Sequence, residues 1–378
     1  MICPHCEKNL LRKERTGNVC SHCRKRYALD PKTNPLALND LRVRRVVQQL
    51  TGEAEALGTG QGRAAGPGPQ VAVSTGQLWY ALSRRRLKEA GISGGCAGGT
   101  AGFAAFAGLV GVLTDATALL FVCAVLLVVA AGCLTARLAG VGRGVPRVTH
   151  AQFKDTALRE WRQVYGALPA GVVDDTEIDP YRALPASPGL PAPTAVLVCP
   201  ERSVAAFLAA NGVPSRYGVA LVPGPEGVRP LPGHLPVLAL HDADVEGELL
   251  VRRLRQELPG RRVVDAGLPL RSVREPAKGV PYRDPARRPR PEQLRLLAGT
   301  GTVAQEELDR LAKGWRYPLV AVPPRKLLDV VTRLAEEAGR RTDPERRRAA
   351  AVGFMSWPDA DGGAGAVGTP DGSAGGGR

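Results

Sequence analysis

Residues 235–258, LPVLALHDADVEGELLVRRLRQEL, decide how the chain is read. The apolar run ending at Leu240 reads as a buried strand, His241-Asp242-Ala243-Asp244 closes it, and a helix follows with Gly247 near its start. Upstream, AVLVCPERSVAAFLAANG (195–212) has the same shape: a strand over 195–199, a turn bearing Glu201, and a helix from an N-cap at Ser203 to a stop at Gly212. Strands without polar alternation, each followed by a helix, predict an α/β unit on a mainly parallel sheet. Such sheets bind ligands beyond the carboxyl ends of their strands, where Glu201, Asp242 and Asp244 all fall. Carboxylates held together raise one another's pKa unless a cation neutralises them, and hard oxygen ligands suit Mg²⁺. Gly247 would let the backbone pass close to that site. The competing reading of the two aspartates is helix capping. His241 is expected on the opposite face of the strand.

A strand followed by Glu, then a strand ending in DxD with a Gly shortly after, resembles the Toprim domain shared by topoisomerases, bacterial primases and OLD-family nucleases. The resemblance covers 195–270, and the Gly-rich stretch 224–233 brings it closest to the A subunit of topoisomerase VI. It implies a Mg²⁺ site acting on phosphodiesters, held by Glu201, Asp242 and Asp244 with Gly247 beside it, and general acid/base work for Glu201. Tyr217, Tyr282 and Tyr317 read as packing or surface residues, with no winged-helix pattern around them, so topoisomerase activity is not expected. The segment 223–234 is too rich in Pro and Gly for a helix. Further strands are expected at 261–266 and 317–322, helical segments in 291–313, and an amphipathic helix over 325–340. Arg283, Arg287, Arg288 and Arg290 form either a phosphate-contacting loop or a solvated basic one.

Towards the N-terminus the composition changes. Residues 90–136 contain one charged side chain, Asp115, and two apolar runs of the length that crosses a hydrocarbon core of roughly 30 Å. They predict a two-span transmembrane hairpin with its tip at 114–117. Gly95, Gly98, Gly99, Gly102 and Gly108 would allow close helix approach. Basic residues 84–88 on one flank and Arg137, Arg143 and Arg147 on the other place both termini in the cytoplasm, with membrane lipid as a partner. A buried hairpin in a soluble domain is the alternative. A juxtamembrane helix is expected over 149–168, with Trp161 and Tyr165 as interfacial anchors or core, followed by a Pro-rich linker over 179–194.

At the start, Cys3-x-x-Cys6 and Cys20-x-x-Cys23 are two knuckles able to give one ion four thiolates, the tetrahedral shell of structural zinc. The segment resembles the zinc-ribbon family. So short a module has too little core to fold alone, so metal would supply its folding free energy. His5 and His22 are expected to face solvent. Arg24, Lys25, Arg26, Arg42, Arg44 and Arg45 could meet nucleic-acid phosphates or anionic lipid, and the ribbon could recruit a protein partner. The remaining cysteines, Cys96, Cys123, Cys133 and Cys199, show no disulfide framework, and the first residues lack the apolar core of a secretory signal.

These parts sum to 378 residues with net charge +15, 44% hydrophobic and 23% charged residues, which excludes a wholly disordered or collagen-like chain. A mean hydropathy of −0.10 hides the apolar hairpin inside an otherwise polar chain. The expected organisation is multidomain: zinc ribbon 1–30, basic helices and linker 31–90 (a helix over 35–57, a flexible stretch 58–70, a second helix from Ser74), hairpin 91–138, juxtamembrane helix and linker 139–194, Toprim-like domain 195–357, and a disordered tail 358–378. Two functions fit: a membrane-anchored protein with Mg²⁺-dependent, nuclease-type phosphodiester activity, or a non-catalytic membrane sensor or adaptor in which a degenerate Toprim-like domain binds nucleic acid or a partner.

Overall fold

The computed structural model describes residues 1–52, 70–89, 94–114, 116–138, 142–182, 193–276 and 279–342. Nearly all of the stretch 58–70, the tip residue Asp115 and the tail 358–378 lie outside these. Before the hairpin, α1 (Asp40–Thr51) is opened by Asn39, whose side chain accepts from Arg42 N at 2.8 Å. Asp40 in its first turn accepts from Ala28 N and Leu29 N at 2.9 and 2.8 Å, which ties the cysteine-rich head to the helix. A short strand, β1 (Val73–Ser74), leads into α2 (Thr75–Glu89). The apolar helices α3 (Gly94–Leu113) and α4 (Thr117–Leu138) follow. After them the chain forms α5 (His150–Phe153), a π-helical stretch (Lys154–Leu158) and α6 (Arg159–Tyr165), then β2 (Val172–Val173), which pairs in parallel with β1. The helix expected over 149–168 is thus present, capped by Thr149. Trp161 is buried beside Tyr165 with the Arg44 guanidinium over it, so it packs in the core.

The α/β unit is a four-stranded parallel sheet in the order β4-β3-β5-β6, built from β3 (Ala195–Val198), β4 (Val219–Val222), β5 (Val237–Ala239) and β6 (Val263–Asp265). Leu197 lies opposite Leu221 on one side and Leu238 on the other, and Leu238 opposite Val264. Strand alternation divides the packing: Ala195, Leu197 and Cys199 enter one core, Val196 and Val198 the other. The second core is covered by α10 (Val245–Glu257) through Leu250, Val251 and Leu254. The first is covered by α7 (Arg202–Ala210) and α13 (Pro324–Thr342), through Phe207, Leu208, Leu327 and Val331. That same core contains Leu29, Leu38 and Val43, then Leu78 and Leu82 of α2, then Val148 and Phe153. Segments on both sides of the apolar hairpin therefore pack with the sheet, across the boundaries expected at 90 and 194.

Several elements differ from expectation. The helix after β3 starts at Arg202 with Glu201 as its N-cap, because the Ser203 hydroxyl is engaged by Asp175 and does not cap. After α7 come α8 (Val213–Tyr217) and a short helix, α9 (Pro225–Val228), where Pro and Gly predicted none; Pro225 occupies the first turn, where a missing N–H costs nothing, and the helices expected in 291–313 are α11 (Pro291–Ala298) and α12 (Gln305–Ala312). The late strand is β8 (Trp315–Arg316), not 317–322. Pro318 interrupts it and Leu319–Ala321 turns as a 3₁₀ helix. β8 pairs antiparallel with β7 (Tyr282–Arg283).

Among the described residues one helix, over Thr117–Ala136, is long and apolar enough to cross a membrane; the apolar part of its neighbour, Gly98–Leu113, is shorter. Phe103, Phe121 and Val128 are 64%, 71% and 72% exposed. Small residues make the contact between the two: Ala104, Ala107 and Ala130 are buried, and a methyl group on Gly108 would lie 3.0 Å from Cys123 Sγ.

Candidate functional site

Two clusters carry chemistry. In the head, the Sγ atoms of Cys3, Cys6, Cys20 and Cys23 lie within 4.8 Å of one another, close enough to hold a metal ion such as zinc. The Cys3–Cys23 and Cys6–Cys20 sulfur separations are both 3.8 Å. Tetrahedral zinc about 2.3 Å from each sulfur requires about this spacing, which is far too long for a disulfide. The two knuckles have the same backbone. Glu7 N donates to Cys3 O at 3.1 Å and Arg24 N to Cys20 O at 2.8 Å, with Glu7 and Arg24 both left-handed at φ 59° and 57°. Backbone N–H groups point at sulfur, His5 N to Cys3 at 3.4 Å and Cys23 N to Cys20 at 3.5 Å. Burial opposes ionisation of the Cys20 thiol, but backbone N–H groups of Cys23 and His22 overcome it and bring its pKa down to about 6. His5 is turned away from the sulfurs, its Nε2 2.7 Å from Arg26 O.

The second cluster sits between β3 and β5. Connections leave these neighbours in opposite directions, β3 towards β4 and β5 towards β6, so their carboxyl ends border a topological switch point. Glu201 follows β3; Asp242 and Asp244 follow β5. The sheet thus brings the three predicted acids together. Asp244 also caps α10, its Oδ1 accepting from Gly247 N at 2.8 Å, so the capping reading holds for that oxygen. Gly247 passes as closely as expected: a Cβ there would lie 2.3 Å from both Asp242 O and His241 Nδ1. His241 is buried beneath the site. Its Nδ1 is 2.8 Å from Asp242 O and its Nε2 3.0 Å from Asp265 Oδ1.

The cation among these acids is Arg316. Its Nη2 bonds Asp242 Oδ2 and lies 3.1 Å from Asp244 Oδ2 and 4.0 Å from Glu201 Oε2; Nη1 lies 3.8 Å from Asp284 Oδ2. The second Asp242 oxygen accepts from Leu319 N at 2.7 Å. Arg287 holds Glu201 Oε2 at 3.1 Å. Burial would depress Arg316, but Asp242 and its neighbours outweigh it and hold the guanidinium more firmly protonated than usual. Burial, reinforced by the Asp242 charge, raises Glu201. Burial also raises Asp244 to about 6, against the pull of Arg316. The donor set does not fit Mg²⁺ as arranged. The point where the carboxylates converge is taken by a guanidinium, and one oxygen each of Asp242 and Asp244 is committed to a backbone N–H.

Glu201, Asp242, Asp284 and Arg316 line a cavity of about 320 Å³ together with Trp79, Pro146, His150, Ser203 and Arg287. The His150 wall is braced from behind. His150 Nε2 lies 3.2 Å from Thr75 Oγ1 and 3.6 Å from Asp175 Oδ2, and Asp175 also takes the Ser203 hydroxyl and Lys154 Nζ, the latter at 2.7 Å. Tyr282 and Tyr317 are buried packing residues, as expected. In the basic loop, Arg287 faces the site while Arg283 Nε donates to Lys313 O at 2.8 Å. Sequence reasoning passed over Arg316, Asp284 and Asp175 and gave His150 no ligand role; the one signal for Arg316 was a basic residue directly before the strand expected at 317–322. No protein-family model, no curated protein and no solved structure matches the chain.

Proposed function

We propose that this chain is a membrane-anchored, non-catalytic sensor or adaptor: a zinc-loaded head, a two-span hairpin with both termini cytoplasmic, and a Toprim-like module that binds nucleotide or nucleic acid without cleaving it. The observation that carries the reading is the arginine-occupied carboxylate site at the floor of a cavity. An acid cluster whose charge is already met by a buried guanidinium lacks the open ligand positions a phosphodiester enzyme needs. The exposed Arg287 among the cavity's lining residues, and walls containing Trp79 and Tyr282, suit a phosphate-bearing ligand with a planar base.

The two-span anchor rests on the shared core. Leu82 and Leu87 before the hairpin share one core with Val148 and Phe153 after it, which supports a chain that returns to the side from which it left. A single crossing would put a bilayer between residues that touch one core. Arg84, Arg85, Arg86 and Lys88 before the spans, with Arg143 and Arg147 after them, favour the cytoplasmic side.

The full chain in lipid nanodiscs should bind a labelled single-stranded oligonucleotide or mononucleotide with an affinity that falls as salt rises, and Arg287→Ala should weaken it several-fold. Absence of any saturable binding would refute the reading. The Mg²⁺-dependent nuclease remains the second reading, favoured by the convergence of Glu201, Asp242 and Asp244 at the switch point.

A further inference from the structure

The disagreement between an acid triad that suits a divalent ion and the guanidinium seated in it has a structural cause. Ala243, between the two aspartates, forms an isolated antiparallel bridge with Tyr317: Ala243 N donates to Tyr317 O at 3.0 Å and Tyr317 N to Ala243 O at 3.2 Å. In an antiparallel pair the flanking residues share the face opposite to the bridged pair, so this register sets residue 316 across from Asp244 and on the same side as Asp242. The partners of β8 hold that position. Arg316 is also paired with Tyr282 across β7, and its guanidinium lies 5.9 Å from the centre of the Tyr282 ring. The preceding Trp315 packs on Gly144, where a Cβ would come within 2.5 Å of the indole and where φ is +73°. Arg316 is thus placed by backbone pairing rather than by the choice of a mobile side chain, and it is 4% exposed.

We propose that Arg316 is the resident cation of the carboxylate site, standing where a divalent ion would bridge Asp242, Asp244 and Glu201, so that the site holds its geometry without metal. The proposal deepens the non-catalytic reading and rests on it. The charges bear it out. Asp242, Asp244, Glu201 and Asp284 surround Arg316, and Arg287 is ion-paired with Glu201 at 3.1 Å. Removing the Arg316 side chain would leave at least two carboxylates facing one another across the space it vacates, the condition under which a hard divalent cation binds.

The test is Mn²⁺ binding by the zinc-loaded full chain in detergent, followed by electron paramagnetic resonance. Wild type should show no saturable Mn²⁺ site that depends on Asp242. Arg316→Ala should gain one such site per chain, and the double variant with Asp242→Asn should lose it again. Arg316→Lys, which keeps the charge, should stay metal-free. An Asp242-dependent Mn²⁺ site in wild type overturns the proposal. So does a folded Arg316→Ala protein, with its zinc retained, that gains none. Should Arg316→Ala fail to fold, the wild-type comparison with Asp242→Asn decides alone. Oligonucleotide binding can fail while these results hold, so this test and that of the parent reading are separable.

Discussion

Asp244→Asn offers the sharpest electrostatic test. An Asn at this position can still cap α10, since a side-chain carbonyl accepts from Gly247 N as the carboxylate does, but it removes a charge that burial and Asp242 oppose. Burial raises the folded carboxyl to about 6, against 3.8 unperturbed, so the charged form is disfavoured in the fold by on the order of 2–3 kcal/mol. The side chain is 14% exposed, so solvent screens little of this. A folded pKa above the unfolded one means that this group's contribution to stability is complete below about pH 4 and is lost as pH rises through about 6. At pH 7 the variant should therefore be the more stable, with Tm raised by about 4–12 °C for a unit of this size. The gap should close as pH falls towards 4, where the wild-type carboxyl is protonated. Thermal unfolding of both proteins across pH 4–8, followed by circular dichroism in one detergent, measures it. A variant less stable than wild type at pH 7 would refute the reasoning, because it would make the Arg316–Asp244 pair at 3.1 Å worth more than the cost of burying the charge.

Metal analysis should find one zinc per chain, lost in Cys20→Ser, and removing zinc should expose the amides of 1–27 to hydrogen exchange while the core from Ala28 onward stays protected, because that core is anchored through Asp40. Protection of the knuckle amides after zinc removal would contradict this. Asp175→Ala leaves Lys154 with Asp174 at 2.8 Å but frees His150 and the buried Ser203 hydroxyl; a loss of about 1–3 kcal/mol is expected by chemical denaturation, and no measurable loss would mean that the brace is idle. Val128→Arg, on an exposed face of α4, should lower membrane insertion by an apparent ~2.5–3.5 kcal/mol in a glycosylation-mapping assay, whereas on a water-facing helix it would change nothing.

The α/β unit was legible because its strands are continuous apolar runs and its acids follow them directly; 195–199 and 235–244 carry both the sheet and the triad. The cysteine cluster was legible from spacing alone. What the sequence hid was long-range. Nothing local says that Leu29, Leu82, Val148 and Leu197 share a core, so the chain read as separate domains. Arg316 was hidden for a similar reason: its place is set by the Ala243–Tyr317 bridge, formed by residues 74 apart, and Pro318 shifted the strand away from the apolar run that suggested it. The braced wall of His150 and Asp175 comes from segments that composition marked only as a juxtamembrane helix and a linker.

The central claim is that the carboxylate site binds without cutting. Purified wild-type chain, incubated with supercoiled plasmid in Mg²⁺ or Mn²⁺ and compared with Asp242→Ala, tests it most directly. The account predicts that the plasmid stays supercoiled with both proteins. Metal-dependent nicking by wild type that is lost in Asp242→Ala would contradict it and establish the nuclease reading.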